Sequence, residues 1–326
     1  MIEVSVIIPV YNVGKYIAKT LNSIVNQVFD NFEIIIIDDG STDNTKEEAE
    51  KILKASKRRY KIISQQNSGV SSARNRGILE SKGKYIYFID GDDWAEPDLL
   101  KKLYRKIKET NADFVFCGYD HVLEDGSSND SGKFNKYLYE EVDGITASRL
   151  MLEEKIWIWI NSGIYKRENI DNIEFNKKYK YNEDVLFTLT YLLKCKKIVS
   201  VNEELVHYLK RKGSAINTAN ENYVHLVYSL IDYLNITKKL DGTEEVIEAL
   251  EKIKIPEEVL RVFSYLSRSK FDKTFIINFI EDEKINKYIN KYKIRSGYLK
   301  RYIFIKLINV APYTMYKIYG RVGVKK

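Results

Sequence analysis

Between residues 4 and 119 short apolar runs rich in Val and Ile alternate with longer segments of helical length. The runs fall at 4–10, 33–37, 60–63, 85–89 and 113–117 and predict strands. The segments between them, 15–28, 43–57, 69–82 and 97–109, predict helices. Such alternation implies βαβ units, so an α/β fold with a mainly parallel central sheet covered on both faces. Ser41, Thr42 or Asp43 can cap the second helix, and Pro97 can open the fourth.

After residue 119 the pattern loosens. Residues 122–133 are turn-rich and predict a loop. Residues 154–169 carry β-type residues, 181–195 predict a helix with Asn182 as cap, and 197–214 predict two short strands. From 219 to 290 the periodicity is helical, with breaks expected at Gly242 and Pro256. No internal repeat is present. The expected organisation is a catalytic-size α/β domain over 1–218, a smaller helical region over 219–290 and a basic tail over 291–326.

Charge sharpens that division. The net charge of the 326 residues is +7. Residues 291–326 hold ten Lys or Arg and no acid, so +7 less +10 leaves −3 on the rest. An acidic body without a recognisable binding module argues against nucleic acid as partner. The two cysteines, Cys117 and Cys195, lie in apolar contexts without C-x-x-C spacing, which fits a reducing cytoplasm better than a disulfide framework. The first residues lack the pattern of a signal peptide, and no apolar stretch is long enough to span a bilayer. A cytoplasmic chain, at most peripheral at the membrane, is expected.

In an open parallel sheet, ligands bind beyond the carboxyl ends of the strands. Here those ends read "PVYN", "DDGSTD", "SQQNSG" and "DGDD". One edge thus collects Pro9, Tyr11 and Asn12, the acids Asp38 and Asp39, the amides of Gln65 and Asn67, and the cluster Asp90, Asp92 and Asp93. A flat ring with a carboxylate acceptor suits a nucleobase. Clustered carboxylates need a compensating cation, and Mg²⁺ or Mn²⁺ carrying a diphosphate meets that need. Arg74 and Arg76 lie near the same edge and can fork onto phosphate. Each motif alone also has a bland explanation as a turn or a helix cap. Four on successive strand ends make a nucleotide-diphosphate site.

Together "VSVIIPVYN", "IIIIDDGSTDNT", "NSGVSSARNRG" and "YIYFIDGDDW" resemble the inverting nucleotide-sugar glycosyltransferases of family 2, which have the GT-A fold. The resemblance covers roughly residues 1–215. It implies that Pro9, Tyr11 and Asp39 hold the base, with Asn67 and Arg74 assisting. It also makes Asp90 and Asp92 the D-x-D motif that meets diphosphate and metal, with Asp93 facing the donor sugar as one option. In "NEDVLF" it points to Asp184 as the base for the acceptor hydroxyl and Glu183 as a brace; helix dipole alone would also favour acids there. Arg211, Lys212 and Ser214 sit in a stretch where similar enzymes place an Arg and a Ser over the diphosphate. A Q-x-x-R-W motif, which processive relatives carry, is absent, so one sugar per encounter is expected.

The implied donor is a nucleotide sugar, UDP-linked by family habit. The implied acceptor is a cell-surface polysaccharide, teichoic acid or lipid-linked oligosaccharide. His207 is either a metal ligand or a half-buried strand histidine; Trp157 and Trp159 line an acceptor groove or belong to the core. The tail interleaves Leu299, Tyr302, Ile303, Leu307 and Val310 with cations, and Pro312 ends its helix. It either lies on an anionic membrane or docks on the protein. Residues 219–290 leave homo-oligomerisation open. The competing functions are a nucleotidyltransferase, for which "PVYNVGKYI" is a poor loop, and a non-catalytic sugar-nucleotide-binding module. The missing G-x-G-x-x-G after the first strand disfavours a dehydrogenase, and the missing G-x-x-x-x-G-K-[ST] removes a P-loop enzyme.

Overall fold

The apolar runs become strands because their side chains are needed on both faces of one sheet. In the computed structural model, which describes residues 2–128, 136–211, 219–294 and 297–322, the chain forms two compact units. The first comprises Met1–Lys178 with Glu183–Arg211, the second Tyr179–Asn182 with Lys212–Lys326.

The first unit runs β1 (Val4–Val10), α1 (Ile17–Val25), β2 (Phe32–Asp38), α2 (Thr45–Ala55), β3 (Arg59–Ser64), α3 (Val70–Glu80) and β4 (Tyr85–Phe88). It continues with β5 (Trp94–Ala95), α4 (Leu99–Thr110), β6 (Phe114–Leu123), α5 (Gly144–Leu152), β7 (Gly163–Lys166), α6 (Glu183–Leu192) and β8 (Ile198–Lys210). Among the described residues these strands make one sheet in the order β3-β2-β1-β4-β7-β6-β8-β5. The four strands from β3 to β4 are parallel, as expected. Beyond β4 the winding changes: β7 enters antiparallel between β4 and β6. Gly163 opens β7 where a Cβ would lie 2.2 Å from Cζ of Phe114, so only glycine lets the two strands pair around that ring.

Three expectations need correction here. Residues 197–214 do not form two short strands: Ile198–Lys210 is one strand paired along β6, and register shifts flanking Gly118 absorb the polar "NEE" stretch as a bulge on β8. The β-type composition of 154–169 yields only the four residues of β7, since Ile156 and Ile158 are buried from irregular backbone and Ile160 from a 3-10 turn, Ile160–Ser162. Pro256 does not break a helix. The helical backbone continues from a π-helical turn at Leu250–Lys254 into α9 (Ile255–Arg268), and that widened turn lies immediately before the proline that lacks its N–H.

On one face of the sheet Val4, Val6, Ile8 and Val10 meet Leu21 and Ile24 of α1, Leu53 of α2 and Leu103 of α4. The opposite face holds an aromatic layer in which Phe88 stands edge-on to Tyr165, Phe175 and Phe187. Phe175 and Phe187 stack with centroids 3.9 Å apart. Burying each such ring is worth on the order of 2–3 kcal/mol, and Phe187 belongs to α6. The layer therefore fixes the helix that begins with the acid pair.

The second unit is helical: α7 (His225–Thr237), α8 (Glu244–Ala249), α9, α10 (Lys273–Glu281), α11 (Glu283–Lys291), α12 (Leu299–Val310) and α13 (Pro312–Val322). Gly242 separates α7 from α8, as predicted, with φ of 74°. Val227, Leu230 and Leu234 of α7 are buried, as are Val259, Val262, Phe263 and Leu266 of α9. Pro312 both ends α12 and starts α13. No described helix is long and apolar enough to cross a membrane.

Helix α3 approaches β1 so closely that a Cβ on Gly77 would lie 2.3 Å from Cγ2 of the fully buried Ile7. Gly77→Ala gains up to about 1 kcal/mol of helix propensity, but overpacking a tight core typically costs about 1–3 kcal/mol. The substitution is expected to lower the melting temperature by a few degrees. A calorimetric scan showing an unchanged or higher value would mean that Ile7 yields freely.

Candidate active site

Each parallel strand delivers its last residues to the same edge, and the loops there are cross-braced by short polar side chains. Asn12, at φ of 50°, accepts from Thr42 N at 2.8 Å and donates its own N–H to Ser41 Oγ at 3.1 Å. This leaves Tyr11 half exposed (49%), its ring free for stacking. Pro9 is buried in β1. Val10 O accepts from Asp39 N on the β2 side and Ile7 O from Ile89 N on the β4 side. Pro9 therefore faces β4 one step beyond its last pair, Ile7–Phe88, where no ladder N–H is needed.

Asp39 is almost fully buried. Its carboxylate accepts from Gln65 Nε2 (2.8 Å), Ser68 N (2.9 Å) and Gly69 N (2.7 Å). It thereby ties the end of β2 to the β3–α3 loop and presents Asn67, which is exposed. Asp38 plays a similar local part, accepting from Ser41 N at 2.9 Å.

The three acids after β4 meet three different fates. Asp90 Oδ1 takes a bond from Nη2 of Arg74 at 2.8 Å. Asp92 Oδ2 takes one from Nε of Arg211 at 2.6 Å. Asp93 is fully buried, bonded by Leu209 N and Asn161 Nδ2, both at 2.9 Å. Burial, and then the charges of Asp92 and Asp90, push the Asp93 carboxyl far above the usual range. Asp93 is thus an internal fastener between the acid loop and β8, and does not face outward toward a sugar. Burial and the neighbouring Asp90 also raise Asp92, despite Arg211.

Arg74 is the hub. Its side chain is 4% exposed, with Nη1 on Glu183 Oε1 at 3.1 Å and Nη2 on Asp90. The D-x-D loop and the start of α6 are joined through one guanidinium. Glu183 is pushed up to about 7 by burial and by the charge of Asp184. Asp184 is also raised, by burial, but makes no ion pair among the described residues and is only half buried. Its charge reaches Tyr119, which packs against Trp159 at 5.3 Å. Trp159 in turn meets Tyr208 at 5.1 Å. The arrangement separates the pair: Glu183 is held by arginine, and Asp184 makes no ion pair among the described residues.

Asp90 and Asp92 fit a divalent ion as a donor set. Each commits one oxygen to an arginine, and their mutual repulsion leaves negative charge uncompensated. Among the described residues no group of three or more His, Cys, Asp or Glu could hold a metal. An ion there would draw its remaining oxygen ligands from a diphosphate and water, as Mg²⁺ and Mn²⁺ commonly do.

Other candidates lie elsewhere. His207 is bonded by Asp120 (2.6 Å) and Glu96 (2.8 Å) and stacks on Trp94, so it is a structural link between β5, β6 and β8. Arg76 turns to Glu80 on the surface of α3. Trp157 and Trp159 are half-buried and pack on the core. Lys212 and Ser214 lie outside the described residues. Two contributors carried no signal in the sequence: Asn161, within "WINSG", and Tyr16, whose ring lies 5.0 Å from the Arg211 guanidinium while its hydroxyl donates to Glu124 at 2.9 Å.

Residues 5–169 match the family model described as "Glycosyl transferase family 2". Glycosyltransferase GlyG of Streptococcus pneumoniae is 30% identical over 229 residues, 66% of this chain and 73% of that protein. Minor teichoic acid biosynthesis protein GgaB of Bacillus subtilis is 28% identical over 71% of this chain. The match spans only 26% of GgaB itself. Among solved structures, residues 1–349 of S. aureus TarS in complex with UDP-GlcNAc superpose with a TM-score of 0.73 at 22% identity, over 100% of this chain and 93% of that one.

Removing the hub strands the buried Glu183 and the partly exposed Asp90. Arg74→Met is expected to cost about 3–5 kcal/mol, the usual loss when one partner of a buried pair is deleted. Arg74→Lys should recover only part of it, since an ammonium lacks the fork that spans both carboxylates. Urea denaturation of the three proteins measures this. Equal stability of Arg74→Met and wild type would refute the bridging role.

Proposed function

The chain belongs to glycosyl transferase family 2, and we propose that it is an inverting, metal-dependent enzyme transferring one hexosyl or N-acetylhexosaminyl unit from a UDP-sugar. The acceptor is a hydroxyl of a cell-envelope glycan: a polysaccharide, a teichoic acid or a lipid-linked oligosaccharide. One observation carries the reading: Arg74 couples the Asp90 loop to the Glu183–Asp184 pair. A diphosphate site and a carboxylate base thereby occupy one edge. The likeness to GgaB supports the polymer class, and the UDP-GlcNAc held by TarS supports the donor class. The absent Q-x-x-R-W motif supports single additions.

Tyr11 offers a face for the uracil, while Asp39 and Asn67 shape its edge. Asp90 and Asp92 would hold Mg²⁺ or Mn²⁺ with the diphosphate, and such an ion would supply positive charge against the departing group. Arg211, 2.6 Å from Asp92, lies on the same side. Asp184 takes the proton of the acceptor hydroxyl as its oxygen forms a bond to the anomeric carbon. The bond from that carbon to the diphosphate oxygen breaks on the opposite face, and UDP leaves with the electron pair. Burial raises the Asp184 carboxyl, which makes its ionised form a stronger base than an ordinary carboxylate. Glu183, paired with Arg74, orients α6 and keeps Asp184 in place. Nucleotide sugars and reduced buried cysteines both suit the cytoplasm.

Two outcomes test this. Asp184→Asn should lower kcat by about 10²–10⁴-fold while UDP with Mn²⁺ still raises the melting temperature; retention of turnover would remove Asp184 from the role. For wild type, kcat/KM should fall as pH drops through a range above the ordinary carboxylate values, because both acids of the Glu183–Asp184 pair are raised. A profile flat down to the ordinary carboxylate range would contradict a base raised by its surroundings. Release of no nucleoside diphosphate from any nucleotide sugar, whatever the acceptor, would defeat the proposal as a whole.

A further inference from the structure

The basic tail docks by a face other than the one its sequence advertises. Ile305 and Ile308 of α12 are fully buried, with Met315 and Tyr319 of α13 nearly so. At 100° per residue, Leu299, Ile303, Leu307 and Val310 fall within an arc of about 80° away from that buried side. They are 58%, 46%, 41% and 82% exposed. Lys300 and Lys306 fall at the two borders of the arc. Helix α13 adds Tyr313 and Ile318, each 47% exposed, with the Lys317 ammonium 4.5 Å from the Tyr313 ring.

The charges around this stripe divide into two sets. Lys291, Lys293 and Arg301 are paired with Glu251, Glu248 and Glu257. Lys300, Lys306, Lys317 and Arg321 make no ion pair among the described residues, and no acid occurs between 291 and 326. An apolar stripe kept in solvent and bordered by unneutralised cations is the pattern of an interfacial helix. A helix serving only to cap its own unit has no use for it.

We propose that the exposed face of α12 and α13 seats on an anionic lipid bilayer. Leu299, Ile303, Leu307 and Val310 would enter the headgroup boundary, and the unpaired cations would meet lipid phosphates. Charge selects this occupant over a second copy of the chain, which would bring the same acid-free basic face against itself. Since no described helix can cross a membrane, the association is with one surface. It would hold a transferase beside a membrane-borne acceptor, but it does not depend on the reaction.

The test uses the full chain and synthetic vesicles, with sedimentation as readout and no turnover involved. The wild type should bind phosphatidylglycerol-containing vesicles and not pure phosphatidylcholine. Binding should collapse between about 0.1 M and about 1 M salt, as the screening length shrinks from about 10 Å to about 3 Å. Each cation near an anionic surface is worth roughly fivefold in affinity, so Lys300→Gln with Lys317→Gln should weaken binding about 25-fold. Ile303→Asn with Val310→Asn should also release the protein, with its melting temperature unchanged. Failure of the wild type to bind, or equal binding to neutral vesicles, overturns the proposal without reference to any variant. So does a result in which Ile303→Asn converts a dimer to monomer while vesicle binding persists, which would make the face an interface between copies.

Discussion

A single buried guanidinium governs the geometry of the carboxyl edge. Arg74 sits one turn into α3, and the packing of that helix on β1 through Gly77 fixes how far its side chain reaches. Asp90 comes from the end of β4 and Glu183 from the start of α6, 109 residues away from Arg74 in the chain. Glu183 is the buried one of the two, and an isolated carboxylate out of water is costly enough to lose its charge. The shared cation offsets that cost and ties Glu183 to the partly exposed Asp90. Whatever shifts α3, β4 or α6 must therefore disturb all three, which is why an aromatic layer as dense as Phe88, Phe175 and Phe187 lies just beneath them.

The remaining acids show how one residue type serves opposite ends. Asp39 and Asp93 are spent inward: three donors close on Asp39 and two on Asp93, and the loops around them are pinned as a result. Asp92 and Asp184 are left with charge that the protein does not fully satisfy. The division follows from burial and donor supply rather than from residue identity. Internal fasteners hold the edge rigid so that the unsatisfied pair can keep a fixed separation.

How much of this was legible in the sequence follows from what each feature depends on. The β1–β4 core was legible because period, length and β-branched content all agree there. The placement of Tyr11, Asp39, Asn67, Asp90 and Asp92 at one sheet edge is legible because strand ends are marked by the switch from apolar to turn chemistry. Strand β7 and the continuity of β8 were not, since one is four residues long and the other hides a bulge behind "NEE". The partner of Asp93 was out of reach for a plainer reason. Asn161 lies 68 residues downstream, and nothing about an asparagine beside a tryptophan announces a long-range bond. The tail misled in a more instructive way. Its apolar periodicity is real, but Ile305 and Ile308, not the longer stripe, provide the packing.

Raised acid pKa values also tie the site to stability. For Asp92, Asp93, Glu183 and Asp184 the folded state favours the protonated form more than the unfolded chain does. The folded protein thus binds more protons, and stability must decline as pH rises from the ordinary carboxylate range toward the raised values. The loss is still growing at neutral pH, because Glu183 is pushed up to about 7 and Asp93 lies far above the ordinary range. Cations and hydrogen-bond donors arriving with a ligand relieve it, because they favour the same ionised carboxylates that folding disfavours. Positive charge set against these acids would therefore raise stability most at the pH values where all of them are ionised.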